Sequence, residues 1–313
     1  MFYIVGLISV LASLFFLVRE NILKRNFPLN SPLPTFLTAF ENAQVSTLGL
    51  WLPSIDYAQN KTFSAPDISA QAGLVYDLKT QKVLFAKNSQ KRLPMASLSK
   101  IMTAVVAIEH QRSDDRYAVL KSDLVGENAM GLSEGEVLTL EDLLYGLILT
   151  SGNDAAETLA RNSIGRTQFI KAMNDKAKSL GLSDTHFTNP TGLEGDGLQY
   201  TTPYDLLILT NYALQYPLFR SVVATFDYHI PYADTHKEYY LENETNLLAS
   251  YPGVLGVKTG YTPEAGLCLV TYLNYDGHKI IGVILGSDNR RQEMKDLLDY
   301  GLKIQGLTPP PHG

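Results

Sequence analysis

The chain of 313 residues has a single cysteine and a single tryptophan. One cysteine permits no internal disulfide, so Cys268, which falls on a predicted strand, is expected to be a buried packing residue. The six histidines show no metal-ligand spacing, and no glycine-rich phosphate loop occurs, so we predict neither a metal site nor a cofactor. The net charge of −6 argues against nucleic acid as a partner.

One candidate membrane span is present, residues 2–18, which are uncharged and just long enough to cross a bilayer. The run predicts either an uncleaved anchor, 1–20, or a signal peptide, and the lack of a nearby small-x-small cleavage pattern favours the anchor. Arg19, Lys24 and Arg25 follow the run. By the positive-inside rule these charges would keep the rest of the chain in the cytoplasm.

Beyond the anchor, residues 21–68 contain scattered prolines and are interpreted as a linker. Residues 69–306 are long enough to bury one substantial core, and 307–313 form a short tail. Strand patterns stand at both ends of this region and helical patterns in its middle. We therefore predict an α+β or α/β sandwich, in which one antiparallel sheet packs between helices.

The predicted strands cover 72–76, 82–85, 254–260, 267–273 and 279–285, with an Asp276-Gly277 turn joining the last two. The predicted helices start near residues 97, 140, 154, 167 and 202, and a further helix at 289–300 should cover the other face of the sheet.

Three short strings occur in order along the chain: Ser97-Leu-Ser-Lys100, Ser151-Gly-Asn153 and Lys258-Thr259-Gly260. Each string alone is a weak signal, because a Ser-x-x-Lys match is expected about once by chance in a chain of this size. The ordered set is a strong signal, because together the strings describe one site for acyl transfer to serine.

The first string predicts a nucleophile with its base. Residues three apart on a helix share a face, so the Lys100 amine can reach the Ser97 hydroxyl. A lysine is a base only when deprotonated, and burial and the nearby Lys258 would lower its pKa. The backbone N–H of Ser97, at the helix start, could donate to an oxyanion. Alone, the string would fit an N-capping serine beside a surface lysine equally well.

The second string lies on a predicted connection between two helices, the first of which opens with a capping box at Thr139 and Asp142. Ser151 would relay a proton to the leaving nitrogen, and Asn153 would bind the amide of the substrate. An ordinary turn is the simpler interpretation of this string alone. Ser287-Asp-Asn289 also fits the Ser-x-Asn pattern, but it follows the third string and is interpreted as a strand-to-helix connection.

The third string ends a predicted edge strand. Lys258 and Thr259 offer a cation and a hydroxyl for a terminal carboxylate, and Gly260 leaves room for a ligand beside the backbone. Taken alone, three such common residues would fit a solvated strand end.

Residues from about 70 to 305 resemble D-alanyl-D-alanine carboxypeptidases of the low-molecular-mass penicillin-binding protein type. Beyond the three motifs, the resemblance is carried by residues 72–77, 92–97, 144–156, 188–193, 245–248 and 256–262. It implies a serine β-lactamase/DD-peptidase-like fold. Thr191 departs from the pattern, since the family often has His there, and this bears on the fit of the substrate.

By the same resemblance the site residues receive roles. The catalytic residues are Ser97 as nucleophile, Lys100 as general base and Ser151 as proton relay. Those that bind substrate are Asn153, Lys258, Thr259 and Gly260.

The resemblance implies removal of the terminal D-alanine of peptidoglycan stem peptides through an acyl-enzyme on Ser97, with β-lactams as covalent inhibitors. It also implies a bacterial membrane protein whose catalytic domain lies outside the cytoplasm, and we adopt this orientation against the charge count. A class A-like β-lactamase remains an alternative, but it needs a further carboxylate, and the Glu242-x-x-x-Asn246 spacing lies too close to Lys258. A non-catalytic β-lactam sensor domain would need several spans and an effector.

Overall fold

A computed structural model describes residues 50–58, 62–245 and 247–312. The predicted anchor, 1–20, and most of the predicted linker, 21–68, lie outside these ranges. Among the residues so described, no helix is long and apolar enough to cross a membrane. The described part of the linker contacts the sheet, since Ser54 Oγ donates to the carbonyl of Gln81 at 2.7 Å and the N–H of Ala58 donates to Val83 at 2.9 Å. The domain boundaries stay predictions.

Five antiparallel strands form the central sheet, and each predicted strand is found within two residues of its expected bounds. In spatial order they are β2 (Lys82–Lys87), β1 (Ala72–Asp77), β9 (His278–Ser287), β8 (Gly266–Tyr275) and β7 (Val254–Thr262). Positive φ angles of 48° at Asp276 and 74° at Gly277 give the tight turn that Asp-Gly predicts between β8 and β9. The strand that carries the third motif, β7, is at the edge of the sheet.

Eight α-helices lie in the described ranges, and the predicted helix starts are found. They are α1 (Lys100–Glu109), α2 (Leu140–Leu149), α3 (Asn153–Ser163), α4 (Arg166–Ser179), α5 (Pro203–Ala213), α6 (Pro217–Val223), α7 (Leu247–Ser250) and α8 (Arg290–Ile304). The capping box of α2 forms as predicted, because Thr139 Oγ1 accepts from the N–H of Asp142 and the Asp142 carboxylate accepts from that of Thr139. The helix predicted to start near Ser97 is found: it opens with a 3-10 turn, Ala96–Ser99, and continues as α1 from Lys100.

Alternate side chains of the sheet enter two separate cores, which confirms the predicted sandwich. Leu74, Tyr76 and Val283 belong to the larger core, shared with the helices between β2 and β7. Val75, Ile280 and Ile284 belong to the second core, where they meet α8 through Met294, Leu297 and Leu298. The helix predicted at 289–300 therefore covers the other face. Cys268 is fully buried, as expected, and burial raises the pKa of its thiol to about 11.

Within the described ranges, two small pairs of strands lie outside the central sheet, and the sequence did not predict them. One pairs β3 (Tyr117–Ala118) with β4 (Val137–Leu138), and the other pairs β5 (Asp227–Ile230) with β6 (Tyr239–Glu242). In the tail, the His312 ring stacks on Tyr251 with 4.6 Å between ring centroids.

Candidate active site

A cleft of about 300 Å³ opens beside β7, where this strand meets the 3-10 turn 96–99 and the connection between α2 and α3. Five of the seven predicted site residues line it: Ser97, Ser151, Asn153, Thr259 and Gly260. The other two, Lys100 and Lys258, are buried at 0% and 1% exposure. Three strings that lie far apart in the sequence therefore meet at one place.

The Lys100 amine lies 2.9 Å from Ser97 Oγ. Lys100 follows the 3-10 turn as the first residue of α1, and residues three apart lie on the same side in either kind of helix, so its side chain can reach Ser97. Lys100 Nζ also donates to Asn153 Oδ1 and to the carbonyl of Thr191, both at 2.7 Å. These two oxygens only accept, so they take two N–H groups of the Lys100 amine. In the neutral form the lone pair of the amine is left for Ser97, whereas an ammonium would donate to all three oxygens.

The pKa of Lys100 lies well below that of an ordinary lysine. Burial is the main cause, because it disfavours the charged form, and the positive charge of Lys258 acts in the same direction. Glu244, Asp154 and Glu157 oppose the shift through their negative charges. The environment therefore shifts the amine towards its neutral form.

Ser151 is held at the tight connection between α2 and α3, with a φ of +57°. The turn is fixed on both sides, because the N–H of Gly152 donates to Gly146 at 3.0 Å and that of Asn153 to Asn128 at 2.8 Å. Ser151 Oγ is buried, lines the cleft and has no hydrogen-bond partner among the described residues. A buried hydroxyl in this condition can be satisfied by a bound ligand.

Lys258 is the second buried cation of the site, and burial lowers its pKa to about 8. The nearby Arg290 adds to the lowering and Glu244 opposes it. Within the described part of the chain Lys258 Nζ has no hydrogen-bond partner. An ammonium group without an anionic partner is suited to a ligand that brings a negative charge.

Gly260 allows β7 to pack against the 3-10 turn 96–99. A Cβ at this position would lie 3.2 Å from the backbone nitrogen of Ser97, the carbonyl of Met95 and the Cβ of Ala96. Arg290 supports the strand from behind, since its Nη1 donates to the carbonyl of Gly260 at 2.7 Å. The glycine therefore sets the distance between the edge strand and Ser97.

The sequence contains two further patterns that resemble parts of the site, Ser287-Asp-Asn289 and Glu242-x-x-x-Asn246. Ser287 Oγ donates to the Glu293 carboxylate at 2.6 Å, and Asn289 caps α8, so this string is the predicted strand-to-helix connection. Glu242 is on β6 and does not line the cleft, and Asn246 lies outside the described residues.

A family model described as D-alanyl-D-alanine carboxypeptidase matches residues 59–289. The chain belongs to this family. It is 35% identical over 253 residues to D-alanyl-D-alanine carboxypeptidase DacF of Bacillus subtilis, covering 77% of this chain and 64% of that protein. It is 34% identical over 247 residues to DacB2 of Mycobacterium tuberculosis, covering 76% and 84%.

Solved structures agree with this assignment. The crystal structure of the Streptomyces K15 DD-transpeptidase has a TM-score of 0.72 and 32% identity, covering 77% of this chain and all of that one.

A further relative by sequence is a D-alanyl-D-alanine endopeptidase of Escherichia coli, which is 35% identical over 224 residues, covering 67% of this chain and 68% of that protein. The predicted family and fold class are confirmed.

Sequence reasoning missed some contributors to this D-alanyl-D-alanine carboxypeptidase family site. The side chain of Thr191, the departure from the family pattern, hydrogen-bonds Asn189 at 2.9 Å, while its carbonyl holds Lys100. Gly192 has a φ of +85°, and a Cβ there would lie 2.0 Å from the carbonyl oxygen of Ala96. The segment 189–192 thus fits under the 3-10 turn 96–99 only with glycine at 192.

A second missed contributor is Asp154. Its buried carboxylate accepts hydrogen bonds from the backbone N–H groups of Met130, Gly131 and Leu132, all at 2.9 Å. These bonds fix the end of the loop whose residues Glu127 and Asn128 line the cleft. The one sequence signal for this role is the position of Asp154, an acidic residue that directly follows the second motif.

Proposed function

We propose that the protein is a serine-type D-Ala-D-Ala carboxypeptidase that removes the terminal D-alanine of peptidoglycan stem peptides. The observation that carries the proposal is the environment of Lys100. Its buried amine donates hydrogen bonds to two fixed carbonyl oxygens and lies 2.9 Å from Ser97 Oγ. A hydroxyl so placed is activated by removal of its proton as it attacks a carbonyl.

The acylation step follows from this arrangement. Ser97 Oγ bonds to the carbonyl carbon of the penultimate D-alanine, and its proton passes to Lys100 Nζ. The backbone N–H of Ser97 donates to the developing oxyanion. When the C–N bond breaks, Ser151 delivers the proton taken up by Lys100 to the leaving amine. Free D-alanine departs, and water later hydrolyses the ester on Ser97.

Lys258 and Thr259 are proposed to bind the terminal carboxylate of the substrate. Lys258 is buried without a hydrogen-bond partner among the described residues, and Thr259 is 4% exposed on the cleft wall. A substrate carboxylate would give the ammonium a partner and accept from the hydroxyl.

Replacement of Thr259 by valine removes one donor and keeps the shape of the side chain. We expect a loss of about 1–3 kcal/mol in kcat/KM for a peptide with a free carboxylate. The same peptide with a C-terminal amide should be a poor substrate already and should lose much less. Steady-state hydrolysis of both peptides by both proteins is the measurement. An equal loss on the two peptides would contradict the carboxylate assignment.

The pKa of Lys258 predicts the alkaline side of the pH profile. Its value of about 8 means that the ammonium loses its proton as the pH rises through about 8. We therefore expect kcat/KM for the carboxylate peptide to fall above this pH, because kcat/KM reports the groups of the free enzyme. Lys258→Arg keeps the charge and should remove the fall. A fall of the same size on the C-terminal amide would assign it to another group.

Incubation with diacetyl-Lys-D-Ala-D-Ala and, separately, with penicillin tests the function. Loss of one alanine, seen by mass spectrometry, is expected with the peptide, and a long-lived adduct with penicillin. Rapid penicillin hydrolysis without peptide cleavage would indicate the β-lactamase. A stable adduct without any peptide cleavage would indicate the sensor. Added amino acids as acceptors measure the share of transpeptidation.

The same proposal includes the location. The apolar run 2–18 anchors the chain and the catalytic domain faces the peptidoglycan outside the cytoplasm. Protease added to intact spheroplasts should digest the domain and spare cytoplasmic markers. Full protection of the domain would instead support the orientation given by the positive-inside rule.

A further inference from the structure

The outer face of the β5–β6 hairpin carries a fixed pair of aromatic rings. The His229 and Tyr240 rings stack with 4.4 Å between centroids and 7° between planes. Glu238 Oε2 accepts from the Tyr240 hydroxyl at 3.0 Å and lies 3.3 Å from His229 Nε2. Tyr240 is nevertheless 75% exposed. The pair is therefore oriented by its own contacts and still presents ring surface to solvent.

This face runs into the catalytic cleft. Along the chain from β6, Tyr240, Glu242 and Glu244 are exposed, whereas the residues between them are buried. Glu244 lines the cleft. Glu244 follows Tyr240 by four residues, two of them beyond the end of β6, so the two backbones are at most about 14 Å apart.

The hairpin is fixed to the element that holds Ser151. The Tyr228 ring of β5 stacks on Tyr145 of α2 with 3.5 Å between centroids. The N–H of Glu244 donates to the carbonyl of Leu149, the last residue of α2, at 3.0 Å. The ring pair therefore keeps a constant position relative to the cleft.

The chemistry of this face suits a sugar. The flat face of a pyranose ring carries C–H groups that pack on an aromatic ring, and its hydroxyls donate to carboxylates. Asp227 and Glu242 are paired across the two strands beside the ring pair, and both are exposed. Like charges that face each other destabilise a hairpin, and a ligand with several hydroxyl donors would offset this cost.

We propose that the hairpin face of His229, Tyr240, Asp227 and Glu242 binds the glycan strand of peptidoglycan while the stem peptide enters the cleft. The proposal rests on the proposed function for its substrate. About four residues separate the sugar from the bond to be cleaved, and an extended chain of that length spans about 14 Å. This reach is long enough to cover the separation between Tyr240 and Glu244.

The kinetic test compares a disaccharide pentapeptide with the same pentapeptide lacking the sugars. We expect the wild-type protein to favour the glycosylated substrate in kcat/KM, and Tyr240→Ala to lower this value about tenfold, the factor that corresponds to 1.4 kcal/mol. The free pentapeptide should be cleaved equally by both proteins. Tyr240→Phe keeps the ring and should retain most of the preference.

Tyr57→Ala serves as the matched control, since Tyr57 is 51% exposed and its backbone pairs with β2, at the opposite edge of the sheet from β7. This variant should leave kcat/KM unchanged for both substrates. A wild-type protein that cleaves both substrates equally well overturns the glycan proposal and leaves the proposed function standing. An equal loss on both substrates in Tyr240→Ala also overturns it, because the ring would then act through the cleft.

A binding test keeps the two proposals separate. The full chain with Ser97→Ala is titrated with oligomers of N-acetylglucosamine, whose pyranose rings carry no carboxylate that Asp227 and Glu242 would repel. We expect binding that is weakened by Tyr240→Ala and unaffected by Tyr57→Ala. This outcome would support the glycan site even if the wild-type protein cleaved no D-Ala-D-Ala peptide. Absence of binding, or binding that does not depend on Tyr240, overturns it.

Discussion

Replacement of Ser97 by alanine is expected to abolish the covalent penicillin adduct. Ser97 Oγ lies 2.9 Å from the Lys100 amine, and under the proposed function it is the group that attacks the β-lactam carbonyl. Mass spectrometry of the intact protein after incubation with penicillin measures the adduct. The expected mass increase is one penicillin in the wild-type protein and none in the variant.

Ser99→Ala is the control, because Ser99 lies in the same 3-10 turn and is fully buried, yet it does not line the cleft. It should still form the adduct. Peptide mapping of the wild-type adduct must identify Ser97. Label on another serine, or an undiminished adduct in Ser97→Ala, would remove the basis of the proposed mechanism.

The sheet and most helices could be predicted because their signals are local. Continuous apolar segments gave the strands of the sheet, and capping residues such as Thr139 gave helix starts. The β5–β6 hairpin was not predicted, because its strands have four residues each and mix aromatic with charged side chains. Its two strands form through cross-strand pairs, which no single short segment reveals.

The sequence predicted the residues of the three motifs, but it did not predict the residues that position them through hydrogen bonds. Ser97 and Lys100 are recognisable from their spacing on one turn. The carbonyl of Thr191 and the guanidinium of Arg290 act through contacts across 91 and 30 residues. Such contacts depend on the tertiary fold, and neither a backbone carbonyl nor a single arginine leaves a pattern in the sequence.

Residues 96–99 are a second case in which the local sequence pattern is not sufficient, because it does not distinguish a 3-10 turn from an α-helix. An apolar run after Ser97 predicts a helix, and both a 3-10 turn and an α-helix bring residues three apart to one side. The structure has a 3-10 turn at 96–99 that leads into α1. The expected proximity of Ser97 and Lys100 is found, because both kinds of helix provide it.

Removal of the Lys100 side chain is expected to slow acylation of Ser97 by penicillin about 10³-fold, within the range for loss of a general base. The measurement is the rate constant for acylation of Lys100→Ala under single-turnover conditions. Lys100→Arg should be impaired to a similar degree, because a guanidinium cannot give up its proton in a protein. Recovery of the rate by arginine would show that Lys100 acts only as a cation.

The pH dependence of the same rate constant separates a base from a structural role. Burial and the charge of Lys258 hold the pKa of Lys100 well below that of an ordinary lysine. As the pH rises through this lowered pKa, the fraction of neutral amine grows, so the wild-type acylation rate should increase with it. In Lys100→Arg this increase should be absent, since no titrating amine remains. A variant that is slower but keeps the wild-type pH profile would show that another group removes the proton from Ser97.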